Sequence, residues 1–254
     1  MKEAAYLRYV NEASGWLHEG RRALIDRVLG FHLPPLDRER EILELGAGVG
    51  QNIPTLARHG VVDALEIDPL GLAVLRQRAD LRTLLDQPIP CALGQRYDLI
   101  CAFDVIEHLE DDRGALRWIA DHLNPGGLFL ATVPAHPWFF SRHDVAVGHY
   151  RRYTAASFQA IVPDGLEWLS GSHFNTRLFP VAVAARALWV AKHRLLRTPP
   201  EDKQGVPGQG MVGRLLSAVF LDEVAGFTPQ TRRSFGLSYY ACLRRKGSAG
   251  APNL

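Results

Sequence analysis

The chain has 254 residues, enough for one large domain with a well-buried core, and a formal net charge of +2 with 29 Lys+Arg against 27 Asp+Glu. So even a balance gives no electrostatic footprint for nucleic acid, although the pairs Arg151-Arg152 and Arg232-Arg233 could favour an anionic group locally or be plain solvated surface. Three cysteines, Cys91, Cys101 and Cys242, lie far apart with no C-x-x-C spacing, which excludes a disulfide framework and a cysteine zinc site and fits a reducing, cytoplasmic setting.

From the start of the chain, Tyr6 to Leu33 reads as helical, with Leu7, Val10, Leu17, Leu24, Ile25 and Leu29 roughly on one face. It is expected to cap a ligand pocket or to cover a sheet. Polar residues interrupt Met1 to Arg22 repeatedly, so no secretory apolar region is expected there. The run EILELGAGVG, residues 41 to 50, is the most informative. Ile42, Leu43 and Leu45 make a short apolar strand covered on both faces, and Gly46, Gly48 and Gly50 let the chain turn where a Cβ would block a ligand. A helix pattern starts near Asn52. The dinucleotide fingerprint G-x-G-x-x-G needs glycine at position 51, where this chain has Gln51, so an uncharged nucleoside fits the turn better than a pyrophosphate.

Val61 to Ile67 is a second strand, delivering Glu66 where a carboxylate can accept both hydroxyls of a ribose. Asp68 before Pro69 reads mainly as a helix N-cap. Strands and helices alternate from residue 41 to 135, which implies a parallel sheet with right-handed crossovers and a ligand at the carboxyl ends of its strands. Glu107 near a helix start favours the dipole, and His108 is expected to begin that helix.

After Pro134 comes an aromatic and histidine-rich loop, residues 135 to 153, then a helix beginning near Thr154 and a strand from Leu166 to Phe174. The apolar stretch Leu178 to Ala191, broken by Pro180 and Arg186, falls short of the ~20 residues of a membrane span but suits a buried or interfacial helix. Residues 198 to 210 read as a mobile loop or lid, a helix follows from Met211 to Phe227, and Leu237 to Leu243 supplies a closing strand.

Four segments together resemble the class I S-adenosylmethionine-dependent methyltransferases. ILELGAGVG resembles their first motif, ALEIDP their second, RYDLICAFDVIEHLEDD (residues 96 to 112) the fourth strand and following loop of a bacterial small-molecule branch, and LNPGGLFLATVPA (residues 123 to 135) the fifth strand. HDVAVGHYRRYT, residues 143 to 154, is also similar to a stretch in one bacterial branch. The resemblance implies an α/β fold: a Rossmann-like, doubly wound, mostly parallel seven-stranded sheet with an N-terminal helical cap and a C-terminal helical insertion. As domains, it implies a single unit over 1–254, with a cap at 1–38, a cofactor-binding core at 39–135, and an acceptor-binding half at 136–254 whose insertion covers about 177–227.

The implied cofactor is S-adenosyl-L-methionine. Carried onto this sequence, Glu44, Gly46 and Gly48 lie near its methionine part, Glu66 takes the ribose, Asp86 stands at the adenine amino group, and Phe103 and Asp104 line the floor. Ala47, Gln51, Asn52, Ile67 and His108 complete the cofactor-binding set. Glu44 and Ala47 stand where many relatives have Asp and Cys, both conservative departures.

Methyl transfer from a sulfonium needs a base only when the acceptor carries a proton. His143 and His149 are the candidate catalytic residues, and Asp144 could orient a neighbouring imidazole. His136, Trp138, Phe139, Tyr150, Arg151 and Tyr153 form the expected substrate-binding set, the aromatics as an apolar wall and Arg151 and Tyr153 for a carboxylate or phosphate. The same loop side chains could instead satisfy their own backbone. No metal is expected, because the spacings of His136, His143 and His149 match no compact ligand pair.

The function expected is methyl transfer to a small or lipid-like acceptor at oxygen, nitrogen or carbon, with peripheral membrane contact possible and no nucleic-acid partner. A non-catalytic cofactor-binding module and a nicotinamide-dependent oxidoreductase are the rival expectations.

Overall fold

The computed structural model describes residues 15–196 and 210–247. In chain order its elements are α1 (Trp16–His32), β1 (Glu41–Leu45), α2 (Ile53–Leu56), β2 (Val61–Leu65), α3 (Pro69–Leu75), β3 (Thr83–Leu85), β4 (Tyr97–Phe103) and a 3-10 turn at Ile106–His108. There follow α4 (Asp112–His122), β5 (Leu123–Pro134), a 3-10 turn at Pro137–Phe139, α5 (Arg142–Val147), α6 (Ala155–Gln159), β6 (Leu166–Phe174), α7 (Phe179–Leu196), α8 (Gly210–Ala225) and β7 (Ser238–Arg245).

The seven strands form one sheet in the order β3-β2-β1-β4-β5-β7-β6. β1 to β5 pair in parallel, and β7 enters antiparallel between β5 and β6. The order reverses direction between β1 and β4, so their carboxyl ends open a crevice at the switch point.

Strand side chains alternate between two cores, as the pleat requires. Ile42, Leu99 and Leu128 point to one face and pack with Leu24, Ile25, Leu29 and Phe220 of α1 and α8. Their neighbours Leu43, Ile100 and Phe129 point to the other, beside Leu116 and Ile119 of α4 and Phe158 of α6. Both faces are covered, which is why β4 is buried along its whole length. Gly20 lets α1 meet α8 closely, since a Cβ there would stand 2.0 Å from the Phe220 ring.

Several boundaries differ from the sequence reading. The first helix is described from Trp16; the earlier part of the expected span and the loop at 198 to 209 lie outside the described residues. β2 stops at Leu65 because the N–H groups of Ile67 and Asp68 donate to the Glu66 carboxylate instead of a ladder. His108 ends a single 3-10 turn and does not begin a helix; the helix starts at Asp112, with the Asp111 carboxylate accepting from the Gly114 N–H. The segment 135 to 153 is not one irregular loop. It holds α5, started by a capping box between Ser141 and Asp144 and ended by Gly148 in the left-handed region.

Candidate functional site

The crevice begins with the bend after β1. Gly46, Gly48 and Gly50 have φ of 59°, 59° and 78°, values that side chains tolerate poorly. A Cβ on Gly46 would also stand 2.7 Å from Cγ2 of Val105. The Gly48 N–H donates to Oε2 of Glu66 at 2.6 Å, and Oε1 of the same buried carboxylate accepts from Ile67 and Asp68 at 2.8 Å each. The Asp68 carboxylate accepts from the Leu70 N–H, the expected N-cap of α3. Ala47 is buried in the bend and Ile67 is exposed at its rim.

Glu44 sits beneath the bend, buried, with Oε1 accepting from Nδ2 of Asn52 at 2.8 Å. Oε2 of Glu44 and Oδ1 of Asn52, two acceptors in a buried place, have no hydrogen-bond partner. Burial pushes the Glu44 carboxyl up to about 7, with the Asn52 hydrogen bond pulling the other way. Asp86, just beyond β3, is exposed and ion-paired with Arg76 at 3.3 Å.

At the end of β4, Phe103 is buried and Asp104 takes φ of 55°, unusual for a residue with a side chain. Its carboxylate accepts from the Arg21 guanidinium and from Thr132 Oγ1 at 3.1 Å. Burial alone would raise this carboxyl, but Arg21 and Thr132 hold it below the ordinary range. Arg21 is itself buried, and its Nε has no hydrogen-bond partner. The neighbouring His18 is lowered to about 3 by burial and by Arg21. Sequence reasoning missed Arg21, because one arginine on a helix carries no sign of a partner far along the chain.

Beyond Asp104 a second polar cluster forms. Glu107 is fully buried, and neither of its carboxylate oxygens has a hydrogen-bond partner. Burial and the Asp104 charge push its carboxyl well above the usual range. His149 Nε2 stands 3.8 Å from Glu107 Oε1, while its Nδ1 is 2.9 Å from Oδ1 of the buried Asp144. His108 packs edge-on against His149 with ring centroids 4.6 Å apart, and burial and His149 lower it to about 4. Glu107, His108 and His149 each bring one potential ligand atom within 4.8 Å of the others. Asp144 also takes Arg152 and Ser141, whose hydrogen bonds together with that of His149 hold its carboxyl far below the usual range against the upward effect of burial. Glu107 was read from the sequence as a helix-dipole residue only; its place under His149 depends on the fold.

The rest of the expected substrate set divides. His136, with φ of 62°, stacks on His173 at 5.1 Å and lies near Phe179 and the exposed Trp138. Phe139 is covered by the guanidinium groups of Arg152 and Arg186. Tyr150 is exposed, and its N–H donates to the Glu107 carbonyl. Arg151 and Tyr153 are not free for an anion: both bind Oδ2 of Asp112, at 2.7 and 2.8 Å, tying α4 to the strip that follows α5. His143 lies part-buried on α5, outside the Glu107 cluster. Asn175, at the carboxyl end of β6, was not singled out; it is buried with φ of 59° and neither side-chain polar atom has a hydrogen-bond partner. Positive φ at Asp104, His136 and Asn175 puts a strained residue just past β4, β5 and β6 alike.

Among known proteins, the ubiquinone biosynthesis O-methyltransferase of Aeromonas salmonicida is 29% identical over 107 residues, covering 39% of this chain and 45% of that one. The chain spans half or less of the length of the curated relatives it matches. One chain of a Haloferax volcanii complex containing the Trm112 methyltransferase activator superposes with a TM-score of 0.58 over 97% of this chain and 96% of its own, at 15% identity. The [4+2]-cyclase SpnF gives a TM-score of 0.55 over 89% and 81% at 17% identity, so the likeness to both structures is one of fold. The family described as methyltransferase domain matches residues 16–176, a span holding the glycine bend, Glu66, Asp104 and the Glu107 cluster. The chain therefore belongs to the methyltransferase domain family, within the class I S-adenosylmethionine-dependent methyltransferases.

Proposed function

We propose that the protein transfers a methyl group from S-adenosylmethionine to a small or lipid-like acceptor at oxygen, nitrogen or carbon. One observation carries the cofactor assignment: Glu44 Oε2 and Asn52 Oδ1 are buried acceptors without donors beside a bend that excludes Cβ atoms. An ammonium is the group that supplies hydrogen bonds to both, and the cofactor's amino acid carries one. Arg21 Nε stands ready for its carboxylate.

Glu66 is assigned to the ribose. Its carboxylate holds three N–H donors, so a diol would take the remaining lone pair on Oε2 and compete with Gly48 for the other. Ile67 at the rim offers an apolar surface to the adenine, with Asp86 further out.

The bound cofactor supplies an activated methyl, which an acceptor lone pair takes as the carbon–sulfur bond breaks and sulfur keeps the electron pair. The protein's part is alignment and exclusion of water, for which proximity alone contributes of order 7 to 11 kcal/mol. Of the two candidate imidazoles, His149 is favoured over His143, because Asp144 fixes its Nδ1 and turns Nε2 toward Glu107. The apolar wall of Trp138, Phe179 and Phe235 supports an apolar acceptor.

A screen for S-adenosylhomocysteine release over candidate acceptors, after calorimetry with S-adenosylmethionine, tests the reading. Binding in the calorimeter with turnover on an apolar acceptor is expected. No heat of binding at millimolar cofactor sinks the proposal; no preference for apolar acceptors removes its lipid-like half.

A further inference from the structure

We propose that Glu107, His108 and His149 form a site for a divalent cation of the first transition series or zinc, next to the methyl-acceptor position. Bonds from such an ion to nitrogen or carboxylate oxygen are about 2.0 to 2.2 Å, so two ligands on opposite sides stand at most about 4.4 Å apart. The three candidate atoms lie within 4.8 Å of one another, and small side-chain rotations close that gap. Two imidazoles and one carboxylate are the donor set that suits zinc, manganese, iron or cobalt while leaving coordination positions open.

Two independent features point the same way. Glu107 is fully buried with both carboxylate oxygens lacking a hydrogen bond, a costly state for a polar side chain, and the His149 imidazole stands 3.8 Å away, beyond hydrogen-bonding distance. A cation would satisfy both oxygens. His149, for its part, is set up as ligating histidines are: Nδ1 meets the buried Asp144 carboxylate at 2.9 Å, leaving Nε2 for the site. Arg152 in turn holds both oxygens of Asp144, at 2.7 and 3.2 Å. Backbone bonds from His149 to the Asp144 carbonyl and from Tyr150 to the Glu107 carbonyl, each 2.8 Å, lock the strip against the turn.

Nε2 of His149 is a ligand when the ion is bound and is open to accept a proton only when the ion is absent. The open positions of the ion would accept an oxygen or nitrogen of the acceptor; that orientation rests on the methyl-transfer reading, whereas the cation site does not.

The test is calorimetric titration of chelator-treated protein with Mn²⁺ and with Zn²⁺, without cofactor. One ion per chain is expected, with affinity falling at least about a hundredfold in Glu107→Gln and His149→Ala and about tenfold in Asp144→Asn. His122→Ala, at the last residue of α4 and outside the cluster, should bind as the parent does. Should the ligand variants fail to fold, the visible absorption of Co²⁺ bound to the unaltered protein reports nitrogen and oxygen donors directly. No saturable binding by the parent protein, or binding unchanged in both Glu107→Gln and His149→Ala, overturns the proposal. Cation binding without S-adenosylhomocysteine binding would leave this site standing and sink the methyl-transfer reading; the reverse would sink only the site.

Discussion

Glu44 carries a pH dependence that bears directly on cofactor binding. Its folded-state value of about 7 lies above the ordinary 4.5, so the native chain keeps a proton that the unfolded chain gives up. Its contribution to stability is complete below about 4.5 and is lost as the pH rises toward 7. Cofactor binding should run the other way, because an ammonium needs the ionised form. Affinity for S-adenosylmethionine is expected to rise by up to about tenfold per pH unit below 7 and then level off, with proton release seen as buffer-dependent heat; Glu44→Gln should flatten both. For Glu66→Ala, loss of charge-assisted bonds worth about 2 kcal/mol predicts a cofactor Kd weakened roughly thirtyfold with kcat spared at saturation. An unchanged Kd would remove Glu66 from the ribose. The positions of Glu44 and Glu66 were legible because Glu44 lies within β1 and Glu66 directly follows β2. The Glu107 cluster was not, since its members come from two segments that only the pairing of the strip after α5 with the turn after β4 brings together.

At the scale of elements, the glycine bend and the Asp112 knot make contrasting predictions. Gly46→Ala combines a positive φ with a 2.7 Å approach to Val105, so a loss of about 2 to 3 kcal/mol in thermal or urea unfolding is expected, together with weaker cofactor binding. Gly126→Ala has φ of +77° but nothing within 4 Å, and should cost about 1 kcal/mol while leaving cofactor affinity intact. Tyr153→Phe leaves the buried Asp112 with one donor fewer and is expected to lower stability by about 1 to 3 kcal/mol without changing the Kd for cofactor. A large change in that Kd would return Tyr153 to the site. Strand β6 was readable at both ends, Leu166 and Phe174, because turn residues bound it, Pro163, Asp164 and Gly165 before and Asn175 after. Helix α5 was hidden: six residues are too few for a 3.6-residue period to show, and its signal is a side-chain cap at Ser141 and Asp144.

Across the whole molecule, the parallel sheet and its switch point followed from the alternation of strands and helices over residues 41 to 135, whereas the insertion of β7 antiparallel between β5 and β6 could not be read from local pattern. Among the described residues no helix is long and apolar enough to cross a membrane. The outer faces of α7 and α8 nonetheless expose Val181, Leu188, Met211 and Leu215, so co-sedimentation with phospholipid vesicles is expected to exceed that of a Leu188→Glu, Leu215→Glu variant. Equal sedimentation would separate these helices from any lipid-like acceptor. The central claim concerns the bend itself, and a crystal structure with S-adenosylhomocysteine tests it most directly. The ribose hydroxyls should lie within hydrogen-bonding distance of Glu66 and the amino group against Glu44 and Asn52; a ligand seated away from the bend, with Glu44 Oε2 still unpartnered, would contradict the account.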